Sequence, residues 1–216
     1  MSPGHDSRDL DLRKEAAIAI EKYFEDLGAL LPQLPYSALG GIASALVQAF
    51  AERRMVFVFG NGGSAASASH MMCDMNKGMH GIESGRPPRV MALTDNVPLM
   101  SAWANDCGYE RIFSEQLKTF AQPRDVAFAI STSGNSPNVL LALETAREHG
   151  ALTMGLAGCQ GGRMKALCDL CAIVPSDNIR MIEDLHHAMM HSIFTAVRQS
   201  RLAGNARNTL ARAASF

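Results

Sequence analysis

Five short apolar runs constrain this chain more than any other feature: MVFVF (55–59), RVMAL (89–93), DVAFAI (125–130), ALTMGL (151–156) and LCAIV (170–174). Each is too short for a buried helix and is continuous rather than alternating, as expected of a strand covered on both faces. Small or polar residues and then a helical pattern follow each run. Parallel strands need such crossovers, so the pattern predicts an α/β fold with a five-stranded parallel sheet between layers of helix.

Helices are predicted to flank the sheet. From Asp9 to Phe50 apolar residues recur at spacings of three and four, and Pro35 separates two helices. A long helix runs from about Asn178 past Arg198, and the tail LAGNARNTLARAASF is weakly patterned and expected to fray. The division is an N-terminal helical region over 1–54, packing on the domain and serving oligomerisation, an α/β domain over 55–200 and a C-terminal tail over 201–216. The methionines Met71, Met72, Met75, Met189 and Met190 are read as helix-packing residues.

Charge excludes several partners. A formal net charge of −1, with basic residues interleaved among acids, predicts no nucleic-acid partner. No apolar stretch approaches the roughly 20 residues that span a bilayer, so no membrane partner is expected. The polar start MSPGHDSRDLDLRKE lacks the hydrophobic run of a secretory signal. Five cysteines, an odd number without framework spacing, suit a reducing compartment, and the expected location is cytoplasmic. Cys168-Asp-Leu-Cys171 has metal-like spacing, but it lacks a second pair and runs into an apolar segment, which favours packing.

Ligands of open parallel sheets gather outside the carboxyl ends of the strands, and two such ends carry unusual chemistry. Gly60-Asn61-Gly62-Gly63-Ser64 can turn sharply and offer backbone N–H groups at a helix N-terminus. Read as Gly60-x-Gly62-x-x-Ala65 it matches a loose dinucleotide fingerprint, but the nearest acidic candidate, Asp95, is poorly placed. After the third strand, Ser131-Thr132-Ser133-Gly134-Asn135-Ser136 brings four hydroxyls to the start of a helix opened by Pro137. Six small or polar residues exceed what a cap needs, and a phosphate cradle is the favoured reading.

Behind the glycine loop, His70 and Asp74 stand one helical turn apart and share a face. On the terminal helix Glu183, His187 and His191 repeat that spacing. Either set alone fits surface pairing; two together point to a site. Asp184 and His186 fall on another face and are expected to be solvated or structural.

GNGGS after the first strand, ISTSGNSPN after the third and WANDCGYERIF between them resemble the sugar isomerase (SIS) domain, in its phosphoheptose isomerase branch. The resemblance covers most of the chain. It implies a flavodoxin-like three-layer sandwich with five parallel strands, assembled as a homotetramer whose sites lie at subunit interfaces. In that branch a His and a Glu four apart, with a Gln and a His eight apart on the terminal helix, bind zinc. Carried over, these fall on His70, Asp74, Glu183 and His191, with Asp replacing Glu and Glu replacing Gln. His187 is expected to serve packing, a ligand or supporting role being the alternative.

The implied activity is interconversion of sedoheptulose 7-phosphate and D-glycero-D-manno-heptose 7-phosphate through an enediol. Asp74 is then the base and His191 the proton shuttle. Ser131, Thr132, Ser133 and Ser136 hold the phosphate, and Asn61, Gly62, Gly63, Asn105, Asp106 and Glu183 contact the sugar. One zinc per subunit site is expected to polarise the carbonyl. The alternatives are a non-catalytic SIS module that binds a phosphosugar or another protein, and an isomerase for a different sugar phosphate.

Overall fold

The computed structural model describes residues 4–82 and 87–213, with side chains described over 9–82 and 87–203. It divides into two compact units, Met1–Leu34 and Pro35–Phe216. The first contains α1 (Gly4–Leu30), closed by a 3-10 turn at Leu31–Gln33. Pro32 opens that turn, and α1 leaves Leu10, Leu12, Ile18, Ile20 and Phe24 exposed.

The second unit begins with α2 (Tyr36–Ala51), capped by Pro35 as the sequence predicts, since proline lacks an N–H and disfavours helix in the residue before it. Then come β1 (Met55–Gly60), α3 (Gly63–Gly78), β2 (Arg89–Ala92), α4 (Val97–Cys107), a 3-10 turn at Tyr109–Arg111, and α5 (Ser114–Phe120). The chain continues through β3 (Val126–Ser131), α6 (Pro137–Glu148), β4 (Leu152–Ala157), α7 (Met164–Leu167), β5 (Leu170–Ile173) and α8 (Ile179–Ala213). The tail expected to fray thus extends the helix to Ala213, and residues 214–216 lie outside the described residues.

All five expected strands form, and they pair in parallel in the order β2-β1-β3-β4-β5. The strands carry no alternation because helices cover both faces. On one face Phe57, Phe59, Ala127 and Ala129 pack with Phe113, Leu117 and the apolar side of α6. Alternation along the pleat turns Val56, Val58, Phe128 and Ile130 to the other face, where α2, α3 and α8 pack. Burying each of the larger side chains contributes roughly 1.5–3 kcal/mol. Helix α2 packs on α8 and β5, which places it in the sheet's unit and not with α1.

The strand order reverses between β1 and β3. Helices that follow strands on opposite sides of such a point diverge and leave a crevice at the carboxyl ends. Both unusual loops emerge there, after Gly60 and after Ser131. Among the described residues, no single helix is long and apolar enough to cross a membrane.

Candidate active site

The glycine loop leaves β1 at Gly60, where an added Cβ would collide with the Ile130 carbonyl of the neighbouring strand. Asn61 then faces the other loop. Its Nδ2 donates to Asn138 Oδ1 at 2.8 Å, and Asn138 Nδ2 donates back to Asn61 Oδ1 at 2.8 Å. Asn138 is buried on the first turn of α6, so the two loops are tied together. Tyr109 adds a hydroxyl donated to Asn61 Oδ1 at 3.1 Å. Sequence reasoning missed Asn138 and Tyr109 as site residues; the local signal for Asn138 was a polar residue directly behind Ser136-Pro137.

The serine-rich loop divides its hydroxyls between two tasks. Ser131 Oγ accepts the Gly134 N–H at 3.2 Å and Ser133 Oγ accepts the Asn135 N–H at 3.2 Å, so both build the turn. Gly134 sits at φ 63°, and a side chain there would strike the Gly161 carbonyl. Asn135 Oδ1 accepts the Arg163 N–H at 3.0 Å, which anchors the turn to the loop after β4. The hydroxyls of Thr132 and Ser136 have no hydrogen-bond partner among the described residues, and Ser136 forms no side-chain cap on α6. They stand beside a helix N-terminus with donors free for an anion.

Helices α3 and α8 run in the same direction and approach closely at two glycines. A Cβ at Gly63 would lie 3.0 Å from Glu183 Oε1, and one at Gly78 would collide with the Phe194 ring. Between these points the two histidine sets meet. His70 Nε2 lies 3.0 Å from His191 Nε2, and Asp74 Oδ2 lies 3.3 Å from the first and 3.5 Å from the second. The His70 and His191 side chains keep 43% and 51% of their surface exposed, so the cluster is open to small molecules. The His187 ring centroid lies 4.6 Å from that of His70 and 4.8 Å from that of His191. Burial, reinforced by these two imidazoles, pushes the His187 pKa below its ordinary value.

The structure therefore brings His70, Asp74 and His191 together, adds His187, and sets Glu183 apart against Gly63. Asn105 and Asp106 occupy the last turn of α4, exposed and hydrogen-bonded to each other at 2.8 Å; no hydrogen bond or ion pair among the described residues joins them to the other site residues. His186 is buried at 1% exposure, and the Ala157 carbonyl lies close to its ring without forming a well-aligned hydrogen bond to either nitrogen. Burial pushes its pKa down to about 4, countered only in part by the Ala157 carbonyl. Cys168 and Cys171 are free thiols packed against the core beneath α6. A hydrogen bond from Cys168 to Cys171, followed by burial, holds the Cys168 thiol far above the usual range, and the same bond lowers Cys171.

The donor set suits a divalent metal. An ion held tetrahedrally at ~2.0 Å from its donors needs donor–donor edges of roughly 3.3 Å. The distances among His70, Asp74 and His191, at 3.0, 3.3 and 3.5 Å, bracket that value.

Residues 22–158, more than half the chain, match the family described as SIS domain, and the chain belongs to that family. Its place within the family is the phosphoheptose isomerase branch. The phosphoheptose isomerase of Pelobacter propionicus is 38% identical over 180 residues, covering 83% of this chain and 92% of that protein. That of Rhodospirillum rubrum is 41% identical over 168 residues, covering 78% and 86%. The solved phosphoheptose isomerase from Francisella tularensis superposes with a TM-score of 0.79 at 31% identity, covering 85% of this chain and 98% of that one.

Proposed function

We propose that the protein is a sugar-phosphate isomerase that interconverts sedoheptulose 7-phosphate and D-glycero-D-manno-heptose 7-phosphate. The observation that carries this reading is the meeting of Asp74 with two imidazoles between α3 and α8, in a fold whose serine-rich loop follows the strand next to the one that leads into α3. Ketose-to-aldose conversion moves one proton from C1 to C2 and shuttles protons between the two oxygens. A carboxylate beside imidazoles, in a chain that also carries an anion seat, has the groups that this requires.

In this reading the phosphate rests at the N-terminus of α6. Thr132 and Ser136 donate to it, while Ser131 and Ser133 hold the turn in shape. Asn61, fixed by Asn138 and Tyr109, contacts the sugar hydroxyls with Gly62, Gly63 and Glu183; Asn105 and Asp106 contact the sugar from α4. Asp74 removes the C1 proton and returns it to C2. Its Oδ2 lies among the imidazoles, and Oδ1 has no partner among the described residues, which leaves that oxygen for the carbon proton. His191 passes protons between the two substrate oxygens when its Nε2 is not bound to metal.

His70, Asp74 and His191 would hold a zinc ion, one per subunit site. Zinc there supplies Lewis-acid polarisation of the carbonyl and stabilises enediolate charge.

The assembled form is a homotetramer with sites at subunit interfaces. Support comes from the apolar side chains that α1 leaves exposed and from the open flank of the histidine cluster. Five free cysteines support a cytoplasmic location, since thiols persist in reducing compartments.

The test is incubation with sedoheptulose 7-phosphate in deuterated water. Aldose product labelled at C2 is expected. Binding of the ketose phosphate with neither product nor exchange would remove the enzymatic reading and leave a phosphosugar-binding module.

A further inference from the structure

We infer that His187, and not Glu183, is the further metal ligand that α8 contributes beside His191, so that the ion is held by three imidazoles with Asp74. This rests on the reading of the site as the metal centre of an isomerase.

Glu183, His187 and His191 follow one another at single-turn spacing on α8, so the sequence alone offers either Glu183 or His187 as the partner of His191. The register of α8 against α3 chooses between them. Among the described residues, the ligand atoms of His70, His187 and His191 all lie within 4.8 Å of one another. The Glu183 carboxylate instead lies along Gly63, with Oε1 and Oε2 at 3.0 and 3.5 Å from where a Cβ would stand. Gly63 precedes His70 by seven residues, about 10 Å of helix rise. Reaching the imidazoles would require Glu183 to leave the first turn of α3. His187 already places a ligand atom within 4.8 Å of both other imidazoles, so a modest ring movement brings it toward an edge of ~3.3 Å.

Charge favours the same choice. Three neutral imidazoles and one carboxylate leave a divalent ion with a net positive charge, which strengthens its pull on a carbonyl oxygen. A second carboxylate would cancel it. Freed from the ion, Glu183 stands between the glycine loop and the histidine cluster, where a carboxylate accepts hydrogen bonds from sugar hydroxyls.

Two measurements on the full chain test this. Zinc affinity is read by competition with a chromophoric chelator for the unmodified protein, His187→Ala and Glu183→Gln. His187→Ala is expected to weaken zinc binding more than tenfold. Glu183→Gln is expected to change it less than threefold while raising KM for the ketose phosphate. X-ray absorption of the zinc-loaded, unmodified protein is expected to fit three imidazoles, an answer that depends on no variant folding. A fit to two imidazoles and two carboxylates, or zinc affinity lost in Glu183→Gln and kept in His187→Ala, would overturn the assignment while leaving the isomerase intact. Unmodified protein that isomerises the ketose phosphate but binds no zinc would overturn the assignment and the metal centre together. Absence of isomerisation with zinc still bound through three imidazoles would keep the assignment and remove the isomerase reading.

Discussion

Asn61 and Asn138 exchange two hydrogen bonds of 2.8 Å across 77 residues of sequence, so that each side-chain amide satisfies the other. The pair locks the glycine loop to the first turn of α6. Replacing Asn138 with alanine takes the acceptor from Asn61 Nδ2 and leaves Asn61 Oδ1 only the Tyr109 hydroxyl, and a half-buried polar group without its partner costs about 1–3 kcal/mol. A loss of that size in unfolding free energy, measured by urea titration, is expected, together with a raised KM.

The hydroxyls of the serine-rich loop should separate by task. Thr132→Val and Ser136→Ala remove free donors, and each is expected to weaken inorganic phosphate binding by roughly 10- to 150-fold, given ~1.5–3 kcal/mol for a hydrogen bond to a charged group. Stability should stay within ~0.5 kcal/mol of the unmodified protein. Ser131→Ala should do the reverse, lowering stability first, because its buried oxygen accepts the Gly134 N–H. Calorimetric phosphate titration beside thermal unfolding distinguishes the two classes.

Gly134→Ala introduces a side chain at φ 63°, against the Gly161 carbonyl. Backbone strain of about 1–3 kcal/mol and displacement of the adjoining loop are expected. A lower melting temperature with weakened phosphate binding would be observed; an unchanged melting temperature would contradict the packing described.

Asp74→Asn keeps the shape of the side chain and removes its basicity. Exchange of the substrate carbon proton with solvent is expected to fall by roughly 10²–10⁴-fold, with ketose phosphate binding retained. Nuclear magnetic resonance of the C1 protons in deuterated water reads the exchange directly.

His186 invites a test with the opposite sign. A buried imidazole whose contact with the Ala157 carbonyl falls short of a well-aligned hydrogen bond contributes little that an apolar side chain of similar size would not. His186→Leu is expected to be neutral or stabilising in urea unfolding at neutral pH, whereas substitutions at the neighbouring His187 act on the site.

The sheet was legible because a strand buried on both faces must be apolar throughout, and no other element of four to six residues is. MVFVF and DVAFAI could hardly be anything else. Pro35 was legible for an equally local reason. The site was legible only as far as single-helix spacing reaches: His70 with Asp74, and Glu183 with His187 and His191. Which members of the two sets meet depends on how α8 slides along α3, and that offset is fixed by Gly63 against Glu183 and Gly78 against Phe194, contacts between residues more than a hundred positions apart. Asn138 was hidden for the same reason. Its partner lies in the loop after another strand, and its own neighbourhood reads as an ordinary helix start.

Asp74 offers one unengaged carboxylate oxygen, and that has a stereochemical consequence. A lone base must collect hydrogen from the first carbon and deliver it to the second from the same side of the planar intermediate. Some of the original hydrogen should then survive the journey. In tritium-free terms, a substrate deuterated at C1 and turned over in ordinary water should yield aldose that keeps a fraction of its label at C2, the fraction reporting how well the carboxyl group is shielded from bulk exchange.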